Sequence, residues 1–231
     1  MFSMTSNKSR IIKNVICSIL IVLIFLMSFI ILINLFCNFV YVETRVRGFS
    51  MQPTINSNVL DSNAEGDTIY INQYAPFSND DVVVAQVNWP GIDGYIIKRL
   101  VGKPGDKVQI KDEDTHYGVY VNNSLLYTKE KFGENDLFHR TGTVGYFANY
   151  QDFLSNPKFQ NYVASENGET FIKLGEDDYF LMGDNWGHTT DSIAKGPLKF
   201  ADIIGKVDLI VDSTDNNPYK IFWFSLKKIF S

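Results

Sequence analysis

Three short stretches of this chain contain residue types that could carry out catalysis. Ser50 lies in "GFSMQPT", Lys98 lies in "GYIIKRL", and residues 182–192 read "MGDNWGHTTDS". A serine hydroxyl is a weak nucleophile that needs a base to accept its proton, and a neutral lysine amine can be this base. Each stretch alone also has a structural explanation, because serine and Gly-Asp-Asn are common in turns and a strand lysine usually points to water.

The surroundings of Lys98 favour the functional interpretation. In a strand the side chains alternate between two faces, so Lys98 and Arg99 point to opposite sides, and both faces also carry aliphatic residues. One of the two cations must therefore lie among aliphatic side chains, where burial disfavours the charged form and lowers the pKa of a lysine. Other serine motifs do not fit, because "GFSMQ" lacks the second glycine of G-x-S-x-G and Pro53 stands where S-x-x-K needs lysine. Among serine hydrolases, this leaves a catalytic pair of a serine and a lysine, here Ser50 and Lys98.

An apolar segment precedes these stretches. Residues 15–42 contain no charged residue, and at about 1.5 Å per residue they can cross a hydrocarbon core roughly 30 Å thick. We predict a transmembrane helix here, because the apolar region of a cleaved signal peptide spans only about 7 to 15 residues and ends in small residues. Slightly more basic residues precede the segment than follow it, which favours a cytoplasmic tail over residues 1–14.

The composition excludes several other functions. The formal net charge is −5 and there is no basic stripe, so we expect no nucleic-acid partner. Both cysteines, Cys17 and Cys37, lie inside the apolar segment, which is compatible with an extracytoplasmic domain. His116, His139 and His188 are far apart in the sequence, so we expect neither a metal nor another cofactor.

Residues 43–216 are typical of a β-rich domain. They contain short runs rich in Val, Ile and Tyr that end at Gly, Pro, Asn or Asp, which predicts an antiparallel sheet assembly or barrel. Asn122 and Asn123 predict a hairpin turn, since Asn tolerates left-handed backbone. Residues 128–170 carry the weakest pattern and predict an irregular insertion. The predicted strands are residues 67–73, 81–89, 94–102, 106–110, 118–127, 177–184 and 203–211.

The order of the motifs resembles that of a known family. "GFSMQPTI", "YIIKRLVGKPGD" and "GDNWGHTTDS" follow an apolar helix as they do in bacterial type I signal peptidases, membrane-anchored serine–lysine endopeptidases that remove signal peptides from exported preproteins. The resemblance implies a mainly β fold, in which an N-terminal transmembrane helix precedes an extracytoplasmic antiparallel β-sheet catalytic domain with a smaller β insertion at residues 111–172. It also implies that Ser50 is the nucleophile and Lys98 the general base.

The resemblance assigns supporting roles to four residues near the third motif. Thr189 stands where the family usually has a serine that hydrogen-bonds the lysine amine. Asp191 and Ser192 match a pair that braces the active site, and Asp184 is the acidic residue of the Gly-Asp-Asn motif. These residues are therefore expected to support the dyad.

Three family positions differ in this chain. Trp186 and Ile193 stand where the family usually has arginines. We therefore expect the two nearby aspartates to lack their usual ion-pair partners. Gly48 stands where some members have a hydroxyl residue that helps to bind the oxyanion, which leaves the backbone N–H of Ser50 as the predicted donor.

The substrate pocket of the family accepts small residues one and three positions before the cut. The positions that match its walls are Val46, Met51, Ile55 and Ile97, and an apolar wall refuses larger side chains sterically. The expected partners are preproteins that carry signal peptides and membrane lipid. The expected location is the bacterial cell membrane, crossed once, with the N-terminus in the cytoplasm.

Two alternatives to a general signal peptidase stay open. The same dyad could serve a dedicated peptidase for pilins or for a few exported proteins. The chain could also be a catalytically silent, membrane-anchored assembly factor, although the presence of both Ser50 and Lys98 argues against silence.

The motifs do not explain the C-terminal tail, residues 217–231. Its sequence, "NPYKIFWFSLKKIFS", is aromatic and basic and too short to span a bilayer. One interpretation is a last strand or helix packed on the core. The other is a contact with the membrane interface, which aromatic and lysine side chains favour.

Overall fold

The computed structural model describes residues 3–113, 115–130, 153–215, 217 and 219–229. It divides into two compact units, which we call the helical unit (Met1–Tyr41 with Asn217–Ser231) and the β unit (Val42–Asn216). Part of the predicted insertion at residues 128–170, and His139 within it, lies outside the described residues. The helices are α1 (Ser3–Val40), α2 (Ser192–Lys195) and α3 (Lys220–Ile229).

The helical unit contains α1 and α3. Residues Arg10–Val40 of α1 are long and apolar enough to cross a membrane, with a mean hydropathy of 3.3. The helix predicted over residues 15–42 ends earlier than expected, because the chain becomes extended at Tyr41 and joins the edge of a sheet. The tail forms the helix α3, which packs on α1, and both interpretations of the tail stay predictions.

The β unit contains two antiparallel sheets. The first has the order β1-β2-β12-β3-β4-β10-β11 and the second the order β7-β6-β5-β9-β8, so the prediction of a mainly β fold is confirmed. The strands are β1 (Tyr41–Arg45), β2 (Thr68–Asn72), β3 (Val82–Trp89), β4 (Ile92–Gly102), β5 (Lys107–Asp112), β6 (His116–Val121), β7 (Ser124–Glu130), β8 (Val163–Glu166), β9 (Glu169–Lys173), β10 (Asp178–Met182), β11 (Leu198–Lys199) and β12 (Ile203–Val211).

The strand predictions were correct where alternation or a turn signal was strong. Each predicted strand overlaps an observed one, and Asn122 and Asn123 form the β6–β7 turn with φ of 51° and 70°. The prediction of irregular structure over residues 128–170 was wrong at its end, where β8 and β9 form a hairpin. Asn167 and Gly168 connect these strands with φ of 53° and 83°, but the strands are too short for their alternation to be recognised.

Strand β4 is the element that organises the site. It is an interior strand of the first sheet, between β3 and β10, and Val83 pairs with Lys98 while Val82 pairs with Arg99. Ile96, Lys98 and Leu100 are all buried on one face of β4, as the alternating pattern predicted. A central strand with fixed neighbours holds these side chains rigidly.

Candidate active site

Ser50 and Lys98 are brought together in the β unit. Lys98 Nζ lies 2.8 Å from Ser50 Oγ and donates a hydrogen bond of 2.8 Å to the carbonyl oxygen of Ile97. The lysine is only 3% exposed. A hydroxyl and an amine at this distance can exchange a proton directly, and the bond to Ile97 fixes the orientation of the amine.

Ser50 lies in a compact loop that is anchored on both sides. Before it, Gly48 adopts a φ of 87°, a region that favours glycine. After it, the N–H of Ile55 donates to the carbonyl oxygen of Met51 at 3.0 Å, and both side chains are buried. The amide of Gln52 closes the loop by donating to two carbonyl oxygens further along the chain, at 2.7 and 3.0 Å. The loop therefore holds the hydroxyl of Ser50 in a fixed position.

A second anchor for this loop was not found from the sequence. Asn56 and Asp67 exchange hydrogen bonds, in which each backbone N–H donates to the other side chain at 2.7 and 2.8 Å. The amide of Asn56 also donates to the carbonyl oxygen of Gly48 at 3.0 Å. Both polar side chains are buried, where a satisfied network is rigid and a broken one is costly. Asn56 and Asp67 therefore support the serine loop, although no local sequence pattern marks them.

The Gly-Asp-Asn motif touches the serine loop through its backbone. The N–H of Asn185 donates to the carbonyl oxygen of Ser50 at 3.0 Å. A Cβ on Gly183 would lie 2.6 Å from the same oxygen and 2.2 Å from the Thr189 Oγ1. Only glycine permits this approach, so the motif serves here as a close backbone contact with Ser50.

Asp184 has an arginine partner, contrary to the expectation from the sequence. Arg99 donates to both of its carboxylate oxygens, at 2.8 and 2.6 Å, and Thr54 donates at 2.5 Å. This hydrogen-bonded carboxylate raises the pKa of Arg99. The partner was missed because it comes from β4 rather than from the position after Gly-Asp-Asn, and sequence spacing does not reveal the contact. Arg99 also pairs with Asp80 at 3.0 Å.

Asp191 and Ser192 both accept hydrogen bonds from backbone N–H groups. Asp191 is fully buried and accepts hydrogen bonds from the N–H groups of Gly183 at 2.9 Å and Ile193 at 3.1 Å. It thereby caps the N-terminus of α2. The hydroxyl of Ser192 accepts from the N–H of Leu181 at 2.9 Å. Both residues hold the chain that carries Thr189, which is 4% exposed; the hydrogen bond from Thr189 to the lysine amine stays a prediction.

A cleft of about 750 Å³ opens at the dyad. Ser50 and Lys98 both line it, beside exposed residues and an apolar wall. The wall includes all four residues that the sequence predicted for the substrate pocket: Val46, Met51, Ile55 and Ile97. Further lining residues that the sequence had not indicated include Tyr95, His188, Thr190 and Ile204. The cleft therefore brings the Ser50 hydroxyl, the Lys98 amine and an apolar wall to one concave surface.

Comparison with known proteins identifies the family. The family model described as "Signal peptidase, peptidase S26" matches residues 12–211. The chain belongs to this signal peptidase family. It is 26% identical over 178 residues to signal peptidase I of Streptococcus pneumoniae serotype 4, a match that covers 73% of this chain and 80% of that protein.

Two further matches come from Bacillus subtilis subsp. natto and Enterococcus faecalis. Signal peptidase I P of Bacillus subtilis subsp. natto is 26% identical over 186 residues, and the match covers 78% of this chain and 82% of that protein. Among solved structures, a signal peptidase I from Enterococcus faecalis matches with 21% identity and a TM-score of 0.34, over 58% of this chain and 97% of that chain. The family membership predicted from the motifs is confirmed by the family match.

At the two positions where the family usually has arginines, this signal peptidase family member buries the apolar side chains of Trp186 and Ile193. Trp186 is 5% exposed, and its ring centroid lies 6.0 Å from that of Tyr117 and 6.2 Å from that of Tyr127. Ile193 is buried in the same cluster. Burial, and then the negative charge of Asp184, raise the pKa of Tyr127. Trp186 and Ile193 thus pack with residues of the second sheet at positions where the family usually has two charged arginines.

The described residues of the signal peptidase domain contain no cluster of three or more metal-ligating side chains. His116 pairs with Glu113 at 2.8 Å, and His188 lines the cleft.

Proposed function

We propose that this protein is a signal peptidase I that removes N-terminal signal peptides from exported preproteins, with Ser50 as nucleophile and Lys98 as general base. The observation that carries the proposal is the 2.8 Å separation of Lys98 Nζ and Ser50 Oγ in a cleft that both residues line. Membership of peptidase family S26 supports the same activity.

In the first half of the reaction, the neutral amine of Lys98 takes the proton of the Ser50 hydroxyl. The serine oxygen then attacks the carbonyl carbon of the scissile peptide bond, and the negative charge moves to the carbonyl oxygen. The backbone N–H of Ser50 is the proposed donor to this oxyanion. When the carbon–nitrogen bond breaks, the ammonium of Lys98 gives its proton to the leaving amine of the mature protein. The signal peptide remains bound to Ser50 as an ester.

In the second half, a water molecule replaces the leaving amine. Lys98 accepts a proton from the water, and the resulting hydroxide attacks the ester carbonyl. The ester bond breaks, the proton returns from Lys98 to the Ser50 oxygen, and the signal peptide leaves with a free carboxylate. Burial of Lys98 supports both halves, because it favours the neutral amine that each proton transfer requires.

The apolar wall of the cleft supports selection of small residues before the cut. Met51 and Ile55 are buried at 3% and 1% exposure, so they cannot move aside without disturbing the core below the cleft. A larger substrate side chain is therefore excluded by contact rather than by lost attraction. This is the proposed role of Val46, Met51, Ile55 and Ile97.

Membrane anchoring follows from α1. Its apolar residues span a length sufficient for a bilayer. We assign the N-terminus to the cytoplasm and the β unit to the outer side of the cell membrane, since the charge distribution favours this orientation. The proposed partners are therefore exported preproteins and the lipid around α1.

The test is cleavage of a signal-peptide-bearing preprotein by the purified full-length protein. Ser50→Ala and Lys98→Ala should each lower the rate by at least about three orders of magnitude, because each removes one half of the proton transfer. Ser57→Ala, at an exposed position, and Lys111→Ala, at a partly exposed position, are matched controls outside the cleft and should cleave normally. Cleavage by Ser50→Ala at the wild-type rate would contradict the mechanism, and a wild-type protein that cleaves no preprotein would contradict the function.

A further inference from the structure

The tail helix α3 packs on the C-terminal part of α1. The ring centroids of Tyr41 and Phe224 lie 6.3 Å apart in an edge-to-face arrangement. The buried side chains in this part of the chain are Ile33, Cys37 and Tyr41, four residues apart, and Ser225 on α3 is 2% exposed. Residues spaced by four lie on one side of a helix, so α3 covers a defined stripe of α1.

This stripe begins where the hydrocarbon core ends. Lys13 is the last charged residue before the apolar segment, and Ile33 follows it by about 30 Å along the helix, the thickness of a typical hydrocarbon core. Two amides, Asn34 and Asn38, are exposed on α1 at this level, and polar side chains there avoid the cost of lying in hydrocarbon. With the hydrocarbon core placed between Lys13 and Ile33, α1 would hold α3 at the level of the lipid headgroups.

The exposed side of α3 has the composition of a headgroup contact. Tyr219 and Trp223 are 65% and 59% exposed, and Lys227 is exposed four residues further on. Tyr219 belongs to the same helical path, because its carbonyl oxygen accepts the N–H of Trp223 at 3.0 Å. Lys228 is also exposed, with its Nζ 5.6 Å from the ring centroid of Phe224. One stripe thus presents two amphipathic rings and an amine.

We propose that α3 is an interfacial helix whose stripe of Tyr219, Trp223 and Lys227 binds the headgroups of anionic lipids around α1. Aromatic rings with a polar edge prefer the headgroup level, and lysine amines near the surface attract anionic lipid. The helix is too short to cross the membrane, and lysine side chains on its exposed side suit phosphate groups better than an apolar protein surface. The inference rests on the proposed membrane anchoring by α1.

The test places the full-length protein in lipid nanodiscs and measures quenching of tryptophan fluorescence by brominated lipids. Subtracting the signal of Trp223→Phe isolates the contribution of Trp223. This contribution should be quenched by bromine atoms near the carbonyl end of the acyl chains and much less by bromine near the terminal methyl. Trp89→Phe is the matched control, since Trp89 lies in β3 of the β unit, and it should leave this quenching in place.

A second measurement tests the preference for anionic lipid. A minor fraction of brominated phosphatidylglycerol should quench Trp223 more than the same fraction of brominated phosphatidylcholine, with an enrichment of about fivefold near the helix. Lys227→Gln combined with Lys228→Gln, or high salt, should make the quenching of Trp223 by the two brominated lipids nearly equal. Lys103→Gln combined with Lys111→Gln removes the same charge from the β unit and should change nothing.

The outcomes separate the lipid contact from the anchoring. Failure of the protein to enter nanodiscs, measured by size-exclusion chromatography, would overturn the membrane anchoring itself. In a protein that does enter, a Trp223 signal untouched by any brominated lipid would show that solvent or a protein partner covers α3 and would overturn the lipid contact. Two other results would overturn the lipid contact as well. One is the strongest quenching by bromine near the terminal methyl, and the other is equal quenching of the wild type by brominated phosphatidylglycerol and brominated phosphatidylcholine.

Discussion

Substitution of Gly183 tests the contact between the Gly-Asp-Asn motif and the nucleophile. In Gly183→Ala the new Cβ would lie 2.6 Å from the carbonyl oxygen of Ser50 and 2.2 Å from the Thr189 Oγ1. Relief of the contact with Ser50 alone requires a movement of roughly 0.8 Å, because ordinary van der Waals contact begins at 3.4 Å. A displacement of about 1 Å in a reacting group costs on the order of 100-fold in rate. We therefore expect kcat to fall by about that factor.

The control for this variant is Gly102→Ala, which overpacks a different place. Its Cβ would meet side-chain atoms of Val108 and Leu174 at 2.6 and 2.7 Å, and no contact with Ser50 is involved. Both variants should lose about 1–3 kcal/mol of unfolding free energy, measured by urea titration in detergent. Only Gly183→Ala should lose kcat against a signal-peptide substrate under conditions where both remain folded. Equal kcat in the two variants would refute the reasoning.

Three further predictions concern the dyad, its brace and the pocket. Because Lys98 is only 3% exposed, the cleavage rate should rise with pH through a pKa below the roughly 10.4 of a solvated lysine; a rate that climbs only near that value would contradict Lys98 as base. Arg99→Met should lower the unfolding free energy by about 3–5 kcal/mol in a urea titration, because it leaves the buried carboxylate of Asp184 without its cation. Arg45→Met removes only an exposed ion pair and should change the unfolding free energy little; equal losses in the two variants would argue against the brace. Two substrates that differ only in the residue before the cut, leucine or alanine, test the pocket. Ile97→Ala should raise the ratio of the cleavage rate of the leucine substrate to that of the alanine substrate by about tenfold. An unchanged ratio in competition assays would remove Ile97 from the pocket.

The site residues that the sequence revealed are those whose local pattern carries information. Alternation along β4 placed Lys98 on the face with Ile96 and Leu100, and the structure buries all three. The order of the motifs indicated Ser50 and the segment that contains Asp184. Local patterns are sufficient for these residues because strand alternation and motif order depend on neighbours in the chain.

The residues that the sequence did not reveal act through contacts between distant segments. Arg99 and Asp184 are 85 positions apart, and their pairing depends on the register of β4 against β10. Asn56 and Asp67 pair between two loops, where no periodicity exists. In the fold, β1 was missed because it continues an apolar run, and β8 and β9 because each is short. The tail allowed two interpretations because its partner, α1, is distant in sequence.

The backbone hydrogen bond from Asn185 to Ser50 has a consequence for the order of events in folding. Its two residues are separated by most of the β unit, so the loop closure it needs occurs only after the intervening strands have paired. Strands β3 and β4 form a local hairpin and can position Lys98 early, but the nucleophile gains its final support last. During refolding, peptidase activity should therefore recover later than the β-sheet circular dichroism signal. Activity would then report the formation of the contact between Asn185 and Ser50.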